Sequence, residues 1–315
     1  MSYYVGIDLG GTNIAAGVVD EKFRIIARSK LKTNRELSGD EVIRCCAEAA
    51  RLAVENAGLK MENISAVGLG SPGTVNCETG VIEYANNLNF ANTPAAEILR
   101  SELGIPAYAE NDANAAAYAE FVAGSAVGAK DVVCITLGTG VGGGIIIGGK
   151  LYSGFNYGGA ELGHTVIDIN GPECTCGRHG CFEVYSSATG LIRMTIEAMN
   201  EHPESLMHSM MGDHVSAKLA FAAMRAGDET AKAVVDKYIK YLAAGITNTI
   251  NVFQPDILCI GGGVCNEGDN LLIPLREQVA GEVYTRRGSK NTKIVIASLG
   301  NDAGIIGAAY LWQSR

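Results

Sequence analysis

Between residues 3 and 20 the apolar positions fall into two runs, YYVGIDL and NIAAGVVD, broken by Gly10, Gly11 and Thr12. Two short apolar runs about a Gly-Gly turn predict a β-hairpin, with Asp8 at the end of its first strand. A Rossmann or Walker loop would pass from a strand into a helix, whereas the small and β-branched residues after Thr12 continue as a strand, so those motifs are excluded. The pattern returns 128 positions later in VCITLGTGVGGGIII (133–147), where Thr136-Leu137-Gly138-Thr139 match Asp8-Leu9-Gly10-Gly11. Between the two hairpins, 40–58 is apolar at helical spacing and stopped by Gly58, ISAVGLGSPG reads as a strand, and 93–103 as a helix. IPAYAEND is a strand running into an alanine-rich helix, 228–253 is a long helix, PDILCIGGGV is a strand meeting glycines, and the chain closes on a strand, a turn and a helix. Strands followed by strand–helix alternation, given twice, predict two α/β lobes. We set their boundary near residue 118, giving lobes 1–118 and 119–300, with the last helix (301–315) returning to the first. The segment 202–216, rich in methionine and histidine at no ligand spacing, reads as core and surface of a helical subdomain in the second lobe.

Composition narrows the function. The chain has 315 residues, 47% hydrophobic and 19% charged, and its forty glycines cluster in short runs without a fixed period. Such runs suit ligand loops, because glycine lets backbone N–H groups approach phosphate oxygens. Either loop alone reads equally as a plain glycine-rich turn; their pairing favours two loops gripping one polyphosphate, with hydroxyls from Thr12 and Thr139. A net charge of -9, without basic clusters, argues against a nucleic-acid partner. No basic leader with an apolar stretch opens the chain, and no run approaches a membrane span, so a cytoplasmic protein with no membrane partner is expected. Nine cysteines, an odd number, read as thiols or metal ligands rather than a disulfide framework.

Three of those cysteines crowd into CTCGRHGC. Cys174, Cys176 and Cys181 are spaced C-x-C-x4-C, and His164 lies ten residues upstream. Three thiolates and one imidazole make a closed tetrahedral shell, as expected of structural zinc. Small hydrophobes in a core would not sit among Glu173, Arg178 and Glu183, and a redox pair would show C-x-x-C. A metal joining these segments would also fix the two carboxylates Glu161 and Glu183. Asp112 follows a strand and precedes a helix. Alone it reads equally as a helix N-cap or as the carboxylate that takes a proton from an attacking hydroxyl. Its place at a helix N-terminus predicts an ionised side chain.

Taken in order, Asp8 to Asn13, SPG (71–73), ENDANA (110–115), TLGTGVGGG (136–144), ELGH (161–164) and CTCGRHGCFE (174–183) resemble the ROK family (repressor, open reading frame, kinase) of the sugar kinase and actin-like ATPase superfamily. The resemblance runs close to full length and implies a two-lobed, ribonuclease H-like fold with duplicated α/β domains about a central cleft. Family repressors carry a winged-helix module before the first phosphate loop; here that loop starts at residue 8, which favours the enzymes. YANNLNF (84–90) looks like a segment of bacterial glucokinases, so the resemblance implies transfer of phosphate from Mg-ATP to the 6-hydroxyl of glucose. It assigns Asp112 as base, and the sugar to Gly73, Asn87, Asn111, Glu161, His164 and Glu183. The nucleotide falls to Asp8, Gly10, Gly11, Thr12, Asn13, Gly138, Thr139 and Gly140, with Asp8 reaching Mg²⁺ through water. Gly262 and Gly263 would line the adenosine side, where a plain strand-to-helix turn is the competing reading. The resemblance also implies zinc on His164, Cys174, Cys176 and Cys181, and a homodimer or homotetramer. Fructose, mannose, allose or N-acetylmannosamine as substrate, a non-catalytic sugar sensor, and polyphosphate or ADP as donor are the alternatives.

Overall fold

The computed structural model describes residues 2–85 and 88–314. Backbone proximity divides them into two units. The first holds the chain up to Val132 together with Gly144–Ala160 and the segment from Ser298 on; the second holds Val133–Gly143 and Glu161–Ala297.

The first unit opens with the expected hairpin. β1 (Tyr3–Leu9) and β2 (Asn13–Asp20) pair antiparallel with Leu9 opposite Ile14, and β3 (Ile25–Lys32) adds an outer strand whose residues alternate between half-buried and exposed. Helix α1 (Gly39–Asn56) begins at a capping box in which Ser38 and Glu41 satisfy each other's backbone N–H, a device worth about 1 kcal/mol. Its buried face, including Val42, Ile43, Cys46 and Ala50, joins the core formed by Val5, Ile7 and Leu9. β4 (Ile64–Ser71) runs parallel to β1; β5 (Thr74–Asn76), β6 (Val81–Tyr84) and β7 (Ala91–Thr93) form a small antiparallel sheet. Helix α2 (Ala95–Leu103) leads to β8 (Ala107–Asn111), parallel to β4, and then to α3 (Asp112–Ala123). The boundary expected near residue 118 falls inside α3, which the first unit holds whole.

The second hairpin is β9 (Val132–Leu137) and β10 (Val141–Ile147), the latter starting in the second unit and ending in the first, where β11 (Lys150–Leu151) pairs with it. There follow α4 (Phe182–Ser186), α5 (Ala188–Glu201), the single turn α6 (Met207–Met210), α7 (Leu219–Arg225), α8 (Glu229–Phe253), β12 (Ile257–Gly261), α9 (Asp269–Glu282), β13 (Lys293–Ile296) and α10 (Ala303–Ala309). The 202–216 segment is mixed as expected: Met207 is fully buried, whereas Met210 and Met211 are about 40% exposed.

The two larger sheets have the strand orders β3-β2-β1-β4-β8 and β11-β10-β9-β12-β13. Each sets its hairpin on one side of a central strand and later strands on the other, so the sequence repeat is a repeat of topology. β1 and β9 even end at the matched leucines, Leu9 and Leu137. Helix α10 returns to the first unit at backbone contact. A methyl on Gly6 or Gly68 would overlap the backbone of Ile305 or Ala308, and one on Gly307 the backbone of Ala115. Among the described residues no helix is long and apolar enough to cross a membrane.

Candidate functional site

In the first unit the turn between β1 and β2 is closed by Gly10 N donating to Asn13 O at 2.9 Å. Its carbonyls are held from β3 and the segment after it. Thr33 Oγ1 donates to Gly10 O (2.7 Å), Arg35 Nε to Gly11 O (2.6 Å), and Thr33 N to Thr12 O (3.0 Å). Engaging these oxygens removes acceptors that would repel a phosphate. A cavity of about 660 Å³ opens beside the loop, lined by Asp8, Gly10 to Asn13, Arg28, Lys30 and Asn301. Arg28 is paired through two hydrogen bonds with Asp302, at 2.8 and 2.7 Å.

Asp8, at the end of β1, rests against α10, since a methyl on Gly304 would overlap its carboxylate. Burial first, and then the charge of Asp112, push Asp8 up to about 6.

The cap of α3 is Asn111, whose Oδ1 accepts from Ala113 N (2.9 Å) and Asn114 N (3.2 Å). The N-cap reading of Asp112 therefore fails: Asp112 is the first helical residue, and the capping is done by its neighbour. The helix start does not decide how tightly Asp112 holds its proton. Burial raises Asp112 above the ordinary carboxylate value, against the pull of the Ala113 N–H at 2.9 Å and of its own backbone N–H, because desolvation outweighs these donors. Behind this corner the buried Glu110 accepts from Asn111 N (2.9 Å), Asn114 Nδ2 (3.1 Å) and Ser153 Oγ (3.2 Å). Asn111 Nδ2 donates to Gly73 O at 3.1 Å, and Gly73 sits at φ +93° where a methyl would overlap Tyr84 O. Asn87 lies outside the described residues. Asn89 donates to Arg35 O (2.9 Å) and Leu37 O (3.1 Å), tying its own position to the strap that holds the loop.

In the second unit, Gly138 N donates to Gly140 O at 3.0 Å. The carbonyls are again held: Gly138 O by Ala188 N (2.8 Å) and Thr139 O by Thr189 Oγ1 (2.8 Å). Gly262 has φ +96°, and a methyl there would overlap the backbone of Leu137, so close packing on the end of β9 accounts for that glycine; Gly263 faces open space. Glu161 is exposed and precedes a single 3-10 turn, Leu162–His164, with His164 N donating to Glu161 O at 3.1 Å.

The ligand atoms of His164, Cys174, Cys176 and Cys181 all lie within 4.8 Å of one another. Cys176 and Cys181 sulfurs are 3.7 Å apart, too far for a disulfide, and Cys174 Sγ is 3.6 Å from His164 Nδ1. Thiolates at about 2.3 Å from a tetrahedral zinc would stand roughly 3.8 Å apart, so the donor set fits that metal. The loop is fixed from behind: Tyr185 Oη donates to Asp168 at 3.0 Å, and its ring stacks on Tyr241 at 3.9 Å.

Thus the structure joins Asp8, Asp112, Asn111, Gly73 and the first loop within one unit, and the Cys/His cluster, Glu183 and the second loop within the other. Sequence reasoning missed Arg28, Lys30 and Asn301 on the cavity wall and Arg35 and Thr189 behind the loops. These are ordinary polar residues in sequence, and only strand pairing or helix capping reveals their placement.

Duplicated sheets that each end a central strand in a carbonyl-anchored glycine loop define a nucleotide-handling fold of the actin-like ATPase type. The chain belongs to the ROK family, whose sequence profile matches residues 4–315. It is 37% identical to a glucokinase of Halalkalibacterium halodurans, over 99% of this chain and 96% of that one. It is 38% identical to a glucokinase of Thermotoga maritima, over 99% and 97%. The crystal structure of a ROK family glucokinase from Streptomyces griseus in complex with glucose and AMPPNP superposes with a TM-score of 0.81, at 34% identity, covering 98% of this chain and 99% of that one.

Proposed function

We propose that this protein transfers the γ-phosphoryl group of ATP to the 6-hydroxyl of glucose. The observation that carries the reading is the corner at Asp112: a buried carboxylate, relieved of capping by Asn111, beside Asp8 and in the same unit as the first glycine loop. Asp112 takes the proton of the attacking hydroxyl. Its raised affinity for a proton makes it a stronger base than an exposed aspartate, while a loose phosphoryl-transfer transition state leaves most of the work to positioning. Gly73, Asn87, Asn111, Glu161, His164 and Glu183 orient the sugar. Gly10 to Asn13 and Gly138 to Gly140 hold the phosphates, and Gly262 and Gly263 line the adenosine side. Mg²⁺ carried with the nucleotide would neutralise phosphate charge within reach of Asp8. The same reading places the protein in the cytoplasm as a homodimer or homotetramer.

His164 with Cys174, Cys176 and Cys181 would hold one zinc per chain. His164 turns Nδ1 to the cluster, which leaves Nε2 to meet a sugar hydroxyl. Cys176→Ser should lose zinc and weaken glucose binding; an active preparation with far less than one zinc per chain would refute this assignment.

The test of the function is a coupled assay for ADP release across glucose, mannose, fructose, allose and N-acetylmannosamine. Glucose should give the highest kcat/KM by a wide margin. Another sugar winning would move the substrate and leave the chemistry; no turnover with any of them would reject the kinase reading.

A further inference from the structure

One nine-residue segment, Cys181 to Thr189, both supplies a ligand of the Cys/His cluster and grips the second glycine loop. Two residues after Cys181, Glu183 Oε2 accepts the Val141 N–H at 2.8 Å, while the Cys174 thiol lies 4.0 Å from Oε1. At the far end, Ala188 N donates to Gly138 O and Thr189 Oγ1 to Thr139 O, each at 2.8 Å. Gly138, Thr139 and Val141 are therefore all held by residues that come after a cluster cysteine. The intervening position, Gly140, leaves room for the same carboxylate: a methyl there would overlap Glu183 Oε2.

The segment has little freedom to absorb a shift. Ser187 N donates to Glu183 O at 3.0 Å, and Ser187 Oγ caps α5 through Gly190 N at 3.0 Å. Tyr238 Oη, on α8, donates to Ser186 O at 2.7 Å. Packed and hydrogen-bonded elements of this kind transmit displacement rather than damp it. Loss of a metal from the cluster would release Cys174 and Cys181, and a displacement there would reach Val141 through Glu183.

We propose that the metal cluster supports the nucleotide side of the reaction as well as the sugar side, with Glu183 as the positioning residue that fixes the second phosphate loop. The proposal rests on the kinase reading only for the identity of the ligand at that loop. Glu183 would then serve two neighbours, since a carboxylate oxygen that accepts one N–H keeps a lone pair for a sugar hydroxyl.

The test combines amide hydrogen exchange at Val141 with calorimetric binding of AMPPNP in the absence of sugar, on zinc-loaded protein and on variants whose zinc content is measured. Val141 exchange should rise at least about tenfold in Glu183→Ala and in Cys176→Ser, and the Kd for AMPPNP should rise about five- to tenfold in both. Gly140→Ala should do the same with its zinc intact, because it displaces the carboxylate and leaves the ligands alone. Glu183→Gln, which keeps an acceptor for Val141, should hold AMPPNP within about twofold of the parent while glucose binding falls. Unchanged Val141 exchange and unchanged AMPPNP binding in Glu183→Ala would overturn the proposal. If the parent binds no AMPPNP yet Val141 exchange still tracks zinc and Glu183, the coupling stands and the kinase reading falls.

Discussion

The two glycine loops share a backbone plan and differ in what surrounds it. Each extends a central strand ending in a matched leucine, and each has the carbonyls of its first two residues tied back by a neighbouring segment. Around the first stand charges: Asp8 and Asp112, with Arg28 and Lys30 on the cavity wall. Around the second stands a carboxylate already engaged by Val141 N, beside a donor set for a metal. Position 8 is matched by Thr136 and position 12 by Gly140. Under the function proposed above, duplication gave two equivalent anchors for phosphate, and divergence put the proton chemistry on one and the scaffold on the other.

The largest effect tests that division. Asp112→Asn should lower kcat about 10³-fold while calorimetry shows glucose binding within about threefold of the parent. Near-normal turnover would mean that the first unit does not hold the base, and the asymmetry between the loops would lose its meaning.

Asp8→Thr copies the second loop into the first and is the next step down. Turnover with Mg-ATP should fall about 100-fold, the expected cost of losing the charge proposed to act on the metal. Asp8 also sets a stability trend. Its carboxyl is pushed from 3.8 up to about 6, so the fold holds this proton more tightly than the unfolded chain does. The stability it contributes is full below about pH 3.8 and is lost as pH rises through about 6. At 1.36 kcal/mol per tenfold, that gap is about 3 kcal/mol, and solvent at this half-buried site trims it. Asp8→Asn should therefore raise the urea midpoint at pH 8 without nucleotide and leave it unchanged below pH 4; the opposite order would contradict the buried acid pair.

Much of this was legible in the chain because it depends on local pattern. The Gly-Gly hairpin, its repeat at 128 residues, the C-x-C-x4-C spacing and the helix ending near Asn56 are all written in short windows, and the structure reproduces them. The state of Asp112 was not legible. Helix position argued for a lowered proton affinity, but burial raises it instead, and that Asn111 rather than Asp112 caps the helix is settled by which side chain accepts the Ala113 and Asn114 N–H groups. Gly262 shows the same limit, since its need for glycine comes from the backbone of Leu137, more than a hundred residues earlier. Arg35 and Thr189 were invisible for a like reason: a side chain that braces a loop carbonyl has no spacing rule.

The smallest effect is the sharpest test of the equivalence itself. Position 11 of the first loop is glycine, and its match in the second is Thr139, which carries a Cβ on the same backbone plan. A methyl on Gly11 would come 3.1 Å from the Arg35 guanidinium, the far end of a flexible side chain, and Gly11 does not have a positive φ. Gly11→Ala should thus cost little: Arg35 gives way by a few tenths of an ångström, and the KM for ATP stays within about twofold. Gly140→Ala meets a carboxylate that is pinned, so there the same added carbon must break a hydrogen bond to fit. If Gly11→Ala proved as damaging as Gly140→Ala, the loops would be alike in sequence only, and the tolerance seen at Thr139 would owe nothing to the shared backbone.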